Sequence, residues 1–208
     1  MGNPLDHILF AAPTLEAGMD EIEARLGTRP VIGGRHPDFG THNALLSLGP
    51  STYLEVIAPD PGLQAPAHGR LLDDGAASPG CLWTWVLRSA DLEATAANAR
   101  HAGFELGDVS DGQRETPAGD IVRWRLTDPY ADRLGGALPF LIDWGDTPHP
   151  GSVMPSGGRL DSFVIEHPEP DAMRRALKAL DSDLEIRAAD SFGLVASIET
   201  AAGLVELR

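Results

Sequence analysis

Three stretches of the chain open alike: "LDHILFAAPTL" from Leu5, "LWTWVLRSADL" from Leu82 and "LDSFVIEHPEP" from Leu160. They align without a gap at nearly even intervals, and repetition on that scale constrains a fold more than any single motif does. Each opening reads as a strand, apolar on both faces, that runs into a helix start. In the first copy Thr14 is placed to cap a helix with Leu15, Met19, Ile22 and Leu26 on one face and Gly27 as its stop. A Gly-rich excursion, "VIGGRHPDFG", and the strands "THNALLSLG" and "TYLEVIAPD" follow. The second copy repeats the order, with a helix over 92–102 capped by Asp91 and stopped by Gly103, then the strands "IVRWRLTDP" and "ALPFLIDWGD".

The predicted fold class is therefore α+β, built of three βαβββ units at 1–60, 81–146 and 159–208. Linkers rich in Gly, Pro and Ser occupy 61–80 and 147–158. One small sheet with one helix buries too little to stand alone. The units are expected to pair as curved mixed or antiparallel sheets, helices outside, with units 1 and 2 forming one domain. Unit 3 then packs on that pair or on a partner chain, and a homodimer is the assembly this reading favours.

The 208 residues carry 31 acidic and 16 basic side chains, a formal charge of −15. Such a surface repels nucleic-acid phosphates and anionic lipid heads, so neither nucleic acid nor membrane is an expected partner. No apolar run approaches the ~20 residues of a membrane span. No basic segment followed by a long apolar one opens the chain, so a cytoplasmic protein is expected. A single cysteine, Cys81, allows no intrachain disulfide and no multi-cysteine metal site. No phosphate-cradling loop, Ser-His-Asp arrangement or dinucleotide fingerprint occurs, and no organic cofactor is expected. A small-molecule ligand is the expected partner.

A repeated unit that opens with "LDHI" and closes with "YLEVIAPD" resembles the vicinal oxygen chelate superfamily. That superfamily includes glyoxalase I, extradiol dioxygenases and bleomycin-resistance proteins. The phrases "GGRHPDFGTHNALLSLGPSTYLEVIAPD" and "LPFLIDWGDTPHP" are similar to those of its glyoxalase-like domain family, and the resemblance covers essentially the whole chain.

Strand parity points to the same place. His7 shares a strand face with Leu5 and Leu9, while Asp6, Ile8 and Phe10 take the other. If Ile8 and Phe10 pack under the helical stripe, His7 looks into the concave side. Glu55 lies in an apolar strand, where a carboxylate is costly unless paired or metal-bound. By the resemblance, a His on the first strand and a Glu on the last are metal-ligand positions, so His7 and Glu55 are the expected ligands of a divalent ion (Zn, Mn, Ni or Fe). The positions equivalent to His7 are Thr84 and Ser162, and those equivalent to Glu55 read as Leu141 and Glu206. A third ligand or a base is then sought in His42, Asp143 or Glu206. His7, His42 and Glu55 together would make a two-histidine, one-carboxylate set.

For substrate binding, Arg35 in an expected loop could capture a carboxylate. Arg123 and Arg125 share a strand face with Trp124 opposite; turned inward against Asp143 they would form an ion-pair ladder or an anion-binding floor. Trp144 would pack or serve as a ligand platform. His68 and His149 fall in linkers and read as surface or lid residues. The resemblance implies a metal-dependent lyase, isomerase or dioxygenase acting on a small oxygenated molecule. The alternative is a non-catalytic binding protein of the bleomycin-resistance type, for which the −15 charge suits a cationic ligand.

Overall fold

A computed structural model describes residues 2–72, 80–134 and 136–208; Met1 of the first unit, residues 73–79 of the first linker and Gly135 lie outside the described residues. Among those described, three α-helices and twelve strands form an α+β fold. The first unit comprises β1 (Leu5–Ala11), α1 (Leu15–Leu26), β2 (Val31–His36), β3 (Thr41–Ser47) and β4 (Tyr53–Pro59). The second comprises β5 (Cys81–Arg88), α2 (Leu92–His101), β6 (Val109–Glu115), β7 (Ile121–Thr127) and β8 (Phe140–Asp143). A 3-10 turn at Pro150–Ser152 leads to β9 (Arg159–His167), α3 (Pro170–Ala179), β10 (Glu185–Ala188), β11 (Gly193–Thr200) and β12 (Gly203–Leu207).

Local chemistry sets the helix ends. Thr14 accepts the Ala17 N–H at the start of α1, and Gly27 in the left-handed region donates its N–H to Glu23 at the end. Asp91 caps α2 by accepting from Ala94. The α1 stripe of Leu15, Met19, Ile22 and Leu26 is buried together with Ile8 and Phe10 of β1. Gly18 brings this helix close to the sheet: a methyl group added there would stand 2.6 Å from Val56 Cγ1 and 2.7 Å from Ala12 Cβ.

Eight strands of the first two units close a barrel in the order β1-β4-β3-β2-β6-β7-β8-β5. In each unit the first strand pairs in parallel with the last, with Leu9 opposite Glu55 in one and Val86 opposite Phe140 in the other. The units join where β1 runs antiparallel to β5, and again where β2 meets β6 through the single pair Arg35 and Glu115.

The third unit repeats the order of elements but not their pairing. Here β9 lies between β10, parallel to it, and β11, antiparallel to it, while β12 is attached only to β11. Its apolar face, with Phe163, Ile165, Leu194 and Ile198, joins the core outside the barrel, where Phe163 meets Trp85 of β5 at a ring separation of 5.9 Å. No helix among the described residues is long and apolar enough to cross a membrane.

Candidate active site

The barrel holds a cavity of about 50 Å³, partly open to solvent, with room for a few ordered waters. Its walls are apolar and aromatic, with Leu9, Leu45, Trp124, Phe140 and Trp144 among them. Six polar side chains interrupt this lining: His7, His36, Asn43, Tyr53, Glu55 and Arg114. Parity places the first group of them, since β1 and β4 run side by side and send alternate residues inward.

His7 and Glu55 meet at the cavity, with Nε2 of the imidazole 3.4 Å from Oε2 of the carboxylate. Asn43 donates from Nδ2 to the other oxygen, Oε1, at 2.9 Å. Tyr53 stacks beneath the His7 ring, centroids 4.4 Å apart and planes at 16°. Burial pushes the Tyr53 phenol well above its ordinary value, so the ring that supports His7 is neutral.

Behind His7 lies Asp6, wholly buried. Strict alternation turns Asp6 toward the helix, and the structure corrects that expectation. The pairing of β1 with β5 steps from Leu5–Leu87 to His7–Val86, so Asp6 is the extra residue of a bulge. Bulges re-aim side chains. Asp6 accordingly takes the His7 Nδ1 hydrogen at 2.7 Å and the Trp144 indole N–H at 3.2 Å to each oxygen. It also receives His149 Nε2 at 3.2 Å. Burial pushes the Asp6 carboxyl up, but the hydrogen bonds from His149 and His7 outweigh it and hold the group below the usual carboxylate range. An ionised Asp6 can only accept, so Nδ1 of His7 carries a hydrogen and Nε2 faces the cavity.

His149 is thus no surface or lid residue. Its Nδ1 accepts the Gly151 N–H at 3.1 Å within the 3-10 turn, which directs Nε2 and its hydrogen at Asp6. The loop expected around His36 is also corrected, because "VIGGRH" forms β2 and His36 is buried in the cavity wall. Burial pushes its imidazole down to about 4, and Nδ1 lies 3.0 Å from Thr41 Oγ1. Arg114 of β6 is 5% exposed and donates from Nη1 to the Gly33 carbonyl.

Other expected site residues stand apart from this cluster. His42 alternates with the inward-facing Asn43 and lies toward Asp60, 4.0 Å away, with burial lowering its imidazole. Arg35 is exposed and gripped by Asp60 at 2.6 and 3.1 Å. On β7 it is Trp124 that faces the cavity, so the inward placement expected for Arg123 and Arg125 is reversed. Arg125 pairs with Glu93 on the surface, and Asp143 accepts the Gly145 N–H beside the same outer groove. Leu141 packs on the helix side, whereas Phe140 occupies the register equivalent of Glu55. Glu206 is exposed on β12 and paired with Arg208, because β12 does not lie beside the first strand of its unit. Trp144 does line the cavity.

As a metal centre the cluster offers His7 Nε2 and Glu55. The Asn43 oxygen has no hydrogen-bond partner, but it is turned toward Gly33, where a methyl group would collide with it. A catalytic zinc takes three protein ligands, and no cluster of three His, Cys, Asp or Glu suited to a metal occurs among the described residues. Arg114 adds a cation to the same cavity. Among the described residues this donor set falls short of the three protein ligands of a catalytic divalent ion.

Two βαβββ units closed into a barrel, with polar residues from the first and last strands turned inward, define the vicinal oxygen chelate class of protein. Within that class the chain belongs to the glyoxalase-like domain family, whose model matches residues 5–180 and leaves β10, β11 and β12 outside. Among solved structures, a hypothetical protein from Staphylococcus aureus is similar over 98% of each chain, with 13% identity and a TM-score of 0.67. A triple mutant of 4-hydroxymandelate synthase from Streptomyces coelicolor aligns with 99% of this chain and 62% of its own, at 13% identity and a TM-score of 0.52. A single-substitution variant of methylmalonyl-CoA epimerase from Streptomyces coelicolor, in complex with 2-nitronate-propionyl-CoA, aligns with 72% of this chain and all of its own. Its identity is 22% and its TM-score 0.49. At these identities the likeness is one of fold. No curated protein matches the chain.

Proposed function

We propose that the protein is a small-molecule enzyme, a lyase or isomerase, that moves a proton on an oxygenated substrate held inside the barrel. The observation that carries this reading is His7 Nε2 facing Glu55 Oε2 at 3.4 Å in a buried cavity. With Nδ1 committed to Asp6, Nε2 is the ring's free base. It takes a proton from a carbon next to a carbonyl, and the Asp6 carboxylate stabilises the imidazolium that forms. Glu55, held by Asn43, stands beside Nε2 to carry the proton on or return it to the product. Of the reaction classes that the resemblance implies, proton transfer is the one these donors perform without further ligands.

The test is deuterium exchange. Purified protein in D2O is incubated with a panel of small 2-oxo acids, 2-hydroxy aldehydes and hydroxy ketones, and label at the carbon next to the carbonyl is read by NMR. Exchange by the wild-type protein that His7→Asn and Glu55→Gln both abolish supports the reading. A stoichiometric divalent ion in protein purified without a metal-affinity tag would replace it with the metal-held version of the site. No exchange across the panel, with thermal stabilisation by a cationic ligand, would replace it with the non-catalytic binder that the −15 charge favours.

A further inference from the structure

We infer that Arg114 is the anchor for a carboxylate, and that the natural ligand is a small carboxylic acid; that this acid is also the substrate rests on the proton-transfer reading above. A guanidinium carries five N–H donors and is costly to bury unless they are met. Arg114 is 5% exposed, yet its one hydrogen bond among the described residues runs from Nη1 to the Gly33 carbonyl. The chain's other deeply buried arginine, Arg133, has three hydrogen bonds from its terminal nitrogens, with Nε left without a partner. It donates to Thr84 Oγ1, to the Leu138 carbonyl and to the Pro129 carbonyl, and its guanidinium lies 5.2 Å from the centroid of the Phe140 ring. Surface arginines such as Arg29, Arg35 and Arg100 each hold a carboxylate. Arg114 has burial and charge without an acid bonded to it, and its remaining donors belong to a cavity wall.

Position adds a second argument. Arg114 lines the inner cavity and also the outer groove formed with Ile32, Gly34 and Ile121. It lies where β2 and β6 are joined by one residue pair alone, the least-paired seam of the barrel. A planar fork there matches a carboxylate's two oxygens, which a single-point cation would not do. The cavity of about 50 Å³ limits the ligand to a short chain. The formal charge of −15 opposes an anion at long range, so recognition comes from the fork and not from steering. With the carboxylate on Arg114, the adjoining carbons extend toward His7 and Glu55, which share the cavity.

The experiment is a titration of the full chain, by calorimetry or NMR, with acetate, propionate and pyruvate and with the corresponding neutral amides. Each acid is expected to bind roughly tenfold or more tightly than its amide, the scale of one charged hydrogen-bonded contact. Arg114→Met should remove that preference and Arg114→Lys should keep part of it. Should Arg114→Met fail to fold, the acid-to-amide ratio in the wild-type protein still decides. Equal binding of acid and amide, or no acid binding at millimolar concentration, overturns the inference. So does a folded Arg114→Met that binds acids like the wild type. Acid binding without deuterium exchange would sink the proton-transfer reading and leave the anchor standing.

Discussion

Asp6 and His7 are consecutive on β1, yet the carboxylate of one accepts the ring hydrogen of the other at 2.7 Å. Neighbours on a regular strand point to opposite faces. The bulge at Asp6 suspends that rule for one residue and so creates the dyad. Trp144 and His149 close around the same carboxylate, which ties β1 to the segment that follows β8.

Replacing that carboxylate should cost activity before it costs the fold. In Asp6→Asn the amide can offer a hydrogen to Nδ1, which selects the wrong tautomer of His7. The exchange rate is expected to fall on the order of a hundredfold or more. Acid sensitivity should change as well. The folded Asp6 carboxyl titrates below its unfolded value of 3.8, so its stabilising contribution is complete above that pH and is lost as the pH falls below it. Denaturant melts from pH 2 to 6 should show the wild type converging on Asp6→Asn at the acid end. Parallel curves throughout would contradict this.

His36 predicts a slope in a different window. Burial pushes its imidazole down to about 4 from an ordinary 6.5. Between those values the unfolded chain binds a proton that the folded chain refuses, so stability is full above 6.5 and declines toward pH 4. The decline attributable to His36 is at most about 3 kcal/mol. Unfolding free energies of His36→Gln across this range should lack that component, and an unchanged slope would show that other groups produce it.

Removing the Trp144 indole donor tests the packing of the site. Trp144→Phe keeps an aromatic wall but takes one N–H from a fully buried carboxylate. A loss of about 1–3 kcal/mol is expected in urea unfolding. A cost within experimental error would mean that the carboxylate finds a replacement donor, such as water.

At Gly18 two rules compete and the structure decides between them. Alanine in a helix interior gains about 1 kcal/mol over glycine. The added methyl, 2.6 Å from Val56 Cγ1 and 2.7 Å from Ala12 Cβ, forces the helix off the sheet at a cost of about 1–3 kcal/mol. Gly18→Ala should therefore lower the melting temperature. A higher one would show that the helix moves away freely.

What could be read from the residues was local in origin. Thr14, the four apolar positions of α1 and Gly27 lie within one helix, and each took its expected place. His7 and Glu55 were legible because both strands keep their alternation at those residues. Where a bulge intervened, parity failed, as at Asp6. A slip of one residue exchanges the two faces of a strand, which is why Leu141 stood in for Phe140. β2 was hidden because Gly33 and Gly34 read as loop, whereas pairing with β3 makes the segment a strand. Glu206 was misplaced because strand partners are a tertiary choice, and the third unit chooses differently from the first two. Arg114, in the polar run "VSDGQRETP", carried no signal of burial, and His149 was disguised by its linker.

The barrel is nearly two-fold symmetric in its strands and one-sided in its chemistry. Where the first unit sets His7 and Glu55, the second sets Thr84 and Phe140 at the matching register. On the proton-transfer reading proposed above, a flat carbon centre in that space would meet a proton carrier on one face and a ring on the other, and the lopsidedness would make the pocket handed.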